Sequence, residues 1–183
     1  MKKQLLTLTL GLTLSATGTS IYANTGTINF EGRITASTCP IEVVNPGDGT
    51  IGNLVKMGTI ESSRFTAVGQ EYNGKSFALR VSDPANCSLD EDGNVARVTF
   101  NGTADSTGKY FAVSPTSDGA TGVSIVIKDR SGASIDPGAE STWYAIDPVT
   151  PTDMVFNAYY RSISAAVTPG AASADVQFIV AFN

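Results

Sequence analysis

Apolar and polar residues alternate with a period of two along most of this chain, and no stretch sustains the 3.6-residue repeat of an amphipathic helix. The runs are short, rich in Val, Ile, Phe and Thr, and bounded by Gly, Asp, Asn, Pro and Ser. That is the pattern of an all-β sandwich. It predicts strands over 27–44, 54–60, 76–83, 95–102, 110–113, 122–129, 142–146, 155–167 and 173–182. Turn chemistry separates them at Pro46-Gly47-Asp48-Gly49, Asp92-Gly93-Asn94, Ser117-Asp118-Gly119, Ser131-Gly132, Asp136-Pro137-Gly138 and Pro169-Gly170. The chain shows neither an internal repeat nor a low-complexity linker, and it reads as one β-domain behind a leader.

Two of these runs lie near the ends of the chain. In the first, Gly26, Ile28, Phe30 and Gly32 fall on one face of an extended strand, and Thr27, Asn29 and Glu31 on the other. In the last, Val176, Phe178, Val180 and Phe182 share a face, while Ile179 and Ala181 keep the opposite face fairly apolar. Terminal strands are candidate exposed edges, whose free N–H and C=O groups invite pairing with another chain. The pattern therefore suggests a subunit predisposed to assemble.

Lys2 and Lys3 precede an apolar run from Leu5 to Leu14, and small and polar residues lead on to Ala23. These are the three regions of a secretory signal peptide, and the apolar run is too short to span a bilayer. Cleavage after Ala23 makes Asn24 the mature start; cleavage after Ala16 is the alternative. Without Lys2 and Lys3, ten basic residues face 17 acidic ones, a formal charge of −7. That balance argues against nucleic acid or an anionic membrane surface as the partner. Cys39 and Cys87 are the two cysteines, and export makes a disulfide the expected use for them. Joined, they close a loop worth about 4 kcal/mol in a chain-entropy estimate.

Catalytic signals are weak. The chain has no histidine, which excludes Ser-His and Cys-His nucleophiles and leaves the two cysteines short of a zinc site. Gly69-Gln70-Glu71-Tyr72-Asn73-Gly74-Lys75-Ser76 matches G-x-x-x-x-G-K-[ST], and the run 125–129 imitates an apolar strand ending in a metal-binding Asp. A phosphate cradle needs a helix after the loop, whereas Phe77, Leu79 and Val81 alternate as a strand. A β-turn is the better reading. Ser106-Thr107-Gly108-Lys109 fits S-x-x-K but lacks its partner motifs, and the acidic turn 90–94 lacks EF-hand spacing. No catalytic residue, metal or cofactor is expected.

The immunoglobulin topology of antibodies sets a Trp between the bridged cysteines; here Trp143 lies beyond both. A different family accounts for the order of motifs. Gly26-Thr27-Ile28-Asn29-Phe30-Glu31-Gly32-Arg33-Ile34 is followed by Cys39, then by Val55-Lys56-Met57-Gly58 and by Phe77-Ala78-Leu79 leading to Cys87. Val98-Thr99-Phe100-Asn101-Gly102, Gly122-Val123-Ser124-Ile125 and Phe156-Asn157-Ala158-Tyr159-Tyr160 come after. Gly170 is fourteenth from the end and Phe182 is penultimate, where the family usually carries Tyr. In these features the chain resembles the type 1-like fimbrial subunits among the pilins of the chaperone–usher pathway.

The resemblance implies an incomplete, immunoglobulin-like Greek-key β-sandwich that lacks its final strand. A hydrophobic groove would run beside the C-terminal strand, filled by a periplasmic chaperone and then by the N-terminal extension of the next subunit, an established mode of pilin assembly. It implies a signal peptide over 1–23, a donor extension over 24–32 and a pilin domain over 33–183. Ile28 and Phe30 would fill a neighbour's groove, Gly26 would mark a shallow pocket, and Asn24 would sit at the far pocket where exchange begins. Gly170, Val176, Phe178, Val180, Phe182 and Asn183 would form the acceptor side and contact the chaperone. The implied partners are identical or related pilins in a homo-polymer, the chaperone, an outer-membrane usher and a host receptor for the fibre. The implied destination, through the periplasm, is the cell surface. The runner-up function is a minor adaptor pilin or a single-domain adhesin binding a host glycan or protein.

Overall fold

In β3, Asn94–Asn101, the sequence alternation becomes a clean in-out pattern: Ala96, Val98 and Phe100 are buried, while Val95, Arg97 and Thr99 face outward. A residue pattern with period two can satisfy an apolar core on one side only as a strand. The same logic builds the other elements. A computed structural model describes residues 39–45, 47–87, 89 and 94–183. The expected signal peptide, the donor extension and the first part of the strand expected over 27–44 lie outside the described residues.

The strands are β1 (Ile41–Val44), β2 (Glu71–Val81), β3, β4 (Phe111–Ala112), β5 (Val123–Lys128), β6 (Ser134–Ile135), β7 (Tyr144–Ile146), β8 (Thr152–Ser162) and β9 (Gln177–Phe182). Two short 3-10 turns, Ser62–Arg64 and Pro84–Asn86, complete the list. One sheet runs β1-β2-β8-β5-β4 with β6 also on β5, and the other runs β7-β3-β9. All pairings between these strands are antiparallel.

Aromatic rings lock the two sheets together. Phe156 of β8 stacks on Phe77 of β2 at 5.6 Å, and Phe100 of β3 meets Phe156 edge-on at 4.9 Å from across the core. Tyr144 of β7 lies 5.2 Å from Phe156. Its buried hydroxyl donates to Val155 O at 2.8 Å and accepts from the Arg130 N–H at 3.1 Å. Burial pushes this phenol up to about 12.

Cys39 and Cys87 form the expected disulfide, closing a sequence separation of 48 residues. Cys39 lies just before β1, and Cys87 ends the 3-10 turn that follows β2. The bridge therefore ties together the ends of two strands already paired from Ile41↔Val81 to Val44↔Ala78. It pins β1 onto the larger sheet.

The expected strand over 54–60 is absent. Val55, Met57 and Ile60 are half-buried against the core, so the alternation reports a real inward face, but the segment joins no ladder. β6 was not expected, being only Ser134 and Ile135. β2 begins five residues earlier than its alternation suggests, because a bulge between Tyr72 and Lys75 interrupts the apolar pattern. Asn73 takes φ 54° in that bulge, and a side chain at Gly74 would strike the Tyr159 ring at 2.3 Å. The Gly69–Ser76 motif is thus the start of a bulged strand with no helix behind it. Asp129 closes the β5–β6 turn, accepting from the Ser131 N–H and Oγ–H at 2.9 and 2.6 Å. Burial opposes the charge of this carboxylate, yet those hydrogen bonds hold it below the usual range. Asp105 likewise accepts from the Thr107 N–H and hydroxyl at 3.0 and 2.7 Å, which makes the S-x-x-K match an ordinary polar turn.

Candidate functional site

β9 lies at the margin of the smaller sheet, and its position is fixed by β3. Six consecutive pairs run from Ala96↔Phe182 to Asn101↔Gln177. The register continues to Asn183, whose N–H donates to Val95 O at 2.9 Å and whose O accepts from the Val95 N–H at 3.1 Å. In an antiparallel ladder such bonded pairs alternate with non-bonded ones. Ala181 and Ile179 therefore turn their N–H and C=O groups toward β3, and Phe182 and Val180 turn theirs away from it. Among the described residues β3 is the one strand that pairs with β9.

The side chains tell the same story. Val176, Phe178, Val180 and Phe182 pack against the core but are only half-buried, as the shared face of the sequence requires. Beside Val176 and Phe178 opens an apolar cleft of about 570 Å³. Phe77, Leu79, Phe100, Ile125, Ile127 and Tyr160 form its floor, Ala172–Phe178 one rim, and Asn53–Met57 with Val43 the other. A second cleft of about 370 Å³ shares Tyr160 and Ala172 with it and extends past Gly58, Phe65 and Val123 to Gly170. A third, about 560 Å³, shares Val43, Leu54, Val55, Lys56 and Phe77 and reaches Lys75 and Ser76. Shared lining residues make the three one seam between β9 with its approach on one side and the 51–60 segment on the other.

Both rims are anchored from behind. The Tyr160 hydroxyl donates to Ala172 O at 2.9 Å, and burial raises its pKa. Asn73 Nδ2 donates to Thr59 O at 3.0 Å, holding the opposite rim to the β2 bulge. Gly170 sits at the far end, where a Cβ would fall 2.4 Å from the Ala120 N and Asp118 O atoms. The close approach has a purpose: the Ala120 N–H donates to Ala171 O at 2.8 Å and the Ala171 N–H to Asp118 O at 3.0 Å. Only glycine lets the backbone cross there.

The structure thus brings Gly170, Val176 and Phe178 to the seam; Val180 and Phe182 continue the half-buried face of β9 beyond the residues that line the clefts, and Asn183 ends the ladder. Asn24, Gly26, Ile28, Phe30 and Gly32 lie outside the described residues. Sequence reasoning missed the opposite rim, Leu54, Val55 and Met57, as part of the site. Its signal is the alternation over 54–60, which predicts a strand. The floor is apolar and its one polar tip, the Tyr160 hydroxyl, is occupied. Such a floor offers burial to apolar side chains.

Comparison with known proteins agrees with this geometry. The family model described as "Fimbrial protein" matches residues 28–183. The chain is 33% identical to the type-1 fimbrial protein subunit of Serratia marcescens over 193 residues, covering all of both chains. It is 31% identical to the type-1 fimbrial protein A chain of Salmonella typhi, again over the full length of both. The crystal structure of the P pilus rod subunit PapA superposes with a TM-score of 0.58 at 17% identity, covering 79% of this chain and 99% of that one, which supports the incomplete immunoglobulin-like fold. The chain belongs to the fimbrial protein family and is a structural subunit of a fimbria exported to the cell surface.

Proposed function

We propose that the seam beside β9 is the acceptor groove for a strand supplied from outside the domain, and that residues 24–32 are the strand this chain supplies to the next subunit. The observation that carries the reading is the half-buried inward face of β9, set over a ready-made apolar floor with a second half-buried rim opposite. A strand laid between the rims would cover both and pair with the outward N–H and C=O groups of Val180 and Phe182. Seating Ile28 and Phe30 would contribute about 3 to 6 kcal/mol from apolar burial.

On this reading the leader over 1–23 is removed, a periplasmic chaperone occupies the groove first, and an outer-membrane usher presents the subunit for exchange. Each exchange replaces the chaperone's strand with the 24–32 segment of the incoming copy, and repetition builds the fibre. The domain over 33–183 remains the repeating unit.

Transplanting the donor tests this. Residues 24–32 are deleted from the mature N-terminus and appended after Asn183 through a short flexible linker, so that the strand competes at high effective concentration. The expected product is a chaperone-independent monomer with a thermal midpoint well above that of the donor-deleted chain. Ile28→Asp with Phe30→Asp in the appended copy should abolish the gain, because two charges would enter an apolar groove. Equal stability with and without the appended strand would mean that the sandwich is already closed.

A further inference from the structure

We infer that Lys56, on the rim of the groove, forms an ion pair with Glu31 of a second copy of this chain and thereby fixes the register in which the incoming strand seats. The inference rests on the groove and donor reading above and adds what aligns the two.

In the rim segment, Val55 and Met57 are half-buried, whereas Leu54 and Lys56 are exposed. Lys56 borders both the main cleft and the one that adjoins it, whereas Lys75 borders only the adjoining one. It is the one charged residue in the run Ile51-Gly52-Asn53-Leu54-Val55-Lys56-Met57-Gly58-Thr59-Ile60. Among the described residues its ammonium joins no ion pair. On the opposite rim, the outward side chains of β9 are Gln177, Ile179 and Ala181, all uncharged. Just before β9 the same rim carries the exposed Asp175, so the main cleft is bordered by one positive group, Lys56, on one rim and one negative group, Asp175, on the other.

The donor segment is complementary in both sign and parity. Glu31 is the one charged residue in 24–32, and it alternates with Ile28 and Phe30. A strand that points Ile28 and Phe30 into the groove holds Glu31 on its outer side. Parity matters because a slip by two residues keeps the apolar face inward, so burial alone leaves the register weakly specified. Charge distinguishes the alternatives. A slip in one direction brings Arg33 beside Lys56, a like-charge contact, and a slip in the other brings the neutral Asn29. Opposite charges brought together attract and like charges repel, so the register with Glu31 at Lys56 is favoured over both.

Polymers of the mature wild-type chain, assembled from a mixture of isotopically light and heavy subunits, provide the test. Carbodiimide couples a carboxylate to an amine only when the two are in contact. The expected product is a Glu31–Lys56 amide joining light and heavy copies. Charge reversal gives a second readout. Glu31→Lys and Lys56→Glu should each speed polymer dissociation in mild guanidinium about fivefold, and the double reversal should return the rate to near the parent value. Additive effects, or Glu31 joined to another lysine in its place, would overturn the pairing while leaving the groove's occupant intact. Polymers that still assemble from a chain carrying Ile28→Asp and Phe30→Asp would overturn the donor reading itself, and the pairing with it.

Discussion

β3 and β9 lie side by side in one sheet, paired residue for residue, and carry nearly the same alternation, yet they are covered to very different degrees. Ala96, Val98 and Phe100 are 0, 0 and 3% exposed, whereas their partners Phe182, Val180 and Phe178 remain half-buried. The backbones differ in the same way. On the side of β3 away from β9, Val98 O and Phe100 O accept from the Ser141 and Gly138 N–H groups at 2.8 Å each, and the Val98 N–H donates to Ser141 Oγ at 3.0 Å. On the outer side of β9, Val180 and Phe182 have no such partner among the described residues. A strand's sequence sets which face turns inward; its neighbours set how far that face is sealed.

Breaking the sealed side should have the largest effect. Phe156→Ala removes the ring that contacts Phe77, Phe100 and Tyr144 at once, and should lower stability by about 3 to 5 kcal/mol. Because this layer lies inside the sandwich, denaturant titration should give the same loss with and without an appended donor strand. Val180→Ala sharpens the contrast, since its side chain lies on the half-buried face of β9. Its loss should be about 1 kcal/mol in the donor-deleted chain and about 2 to 3 kcal/mol once the strand is supplied. Equal losses in both backgrounds would show that the seam gains no cover from the donor. Ile179→Ala, on the outward face of the same strand, should change either value by less than about 0.5 kcal/mol.

Legibility from sequence followed the same division. β3, β5, β8 and β9 announce themselves because their apolar residues line one continuous core, and the disulfide follows from two cysteines in an exported chain. Other features depended on long-range contacts. Ser134-Ile135 is too short to show a period, and the glycine in the bulge at Asn73-Gly74 is required by the ring of Tyr159, a residue 85 positions away from Gly74 in sequence. The segment over 54–60 is the instructive error. Val55 and Met57 alternate as a strand does, and they do face the core, but alternation cannot report whether a hydrogen-bonding neighbour exists. What read as one more strand in a ladder is a rim of the groove. Gly170 was legible as a position but not in its reason, which is the crossing of the 118–120 backbone.

Amide hydrogen exchange along β9 tests most directly the claim that this edge is completed from outside. Alternate amides serve as internal controls. Ile179 and Ala181 donate toward β3, whereas the Val180 and Phe182 amides point away from it. In the donor-deleted chain, Val180 and Phe182 should exchange rapidly and Ile179 and Ala181 slowly; appending residues 24–32 should bring all four to comparable protection. Slow exchange at Val180 and Phe182 in the donor-deleted chain, unchanged when the strand is supplied, would contradict the account.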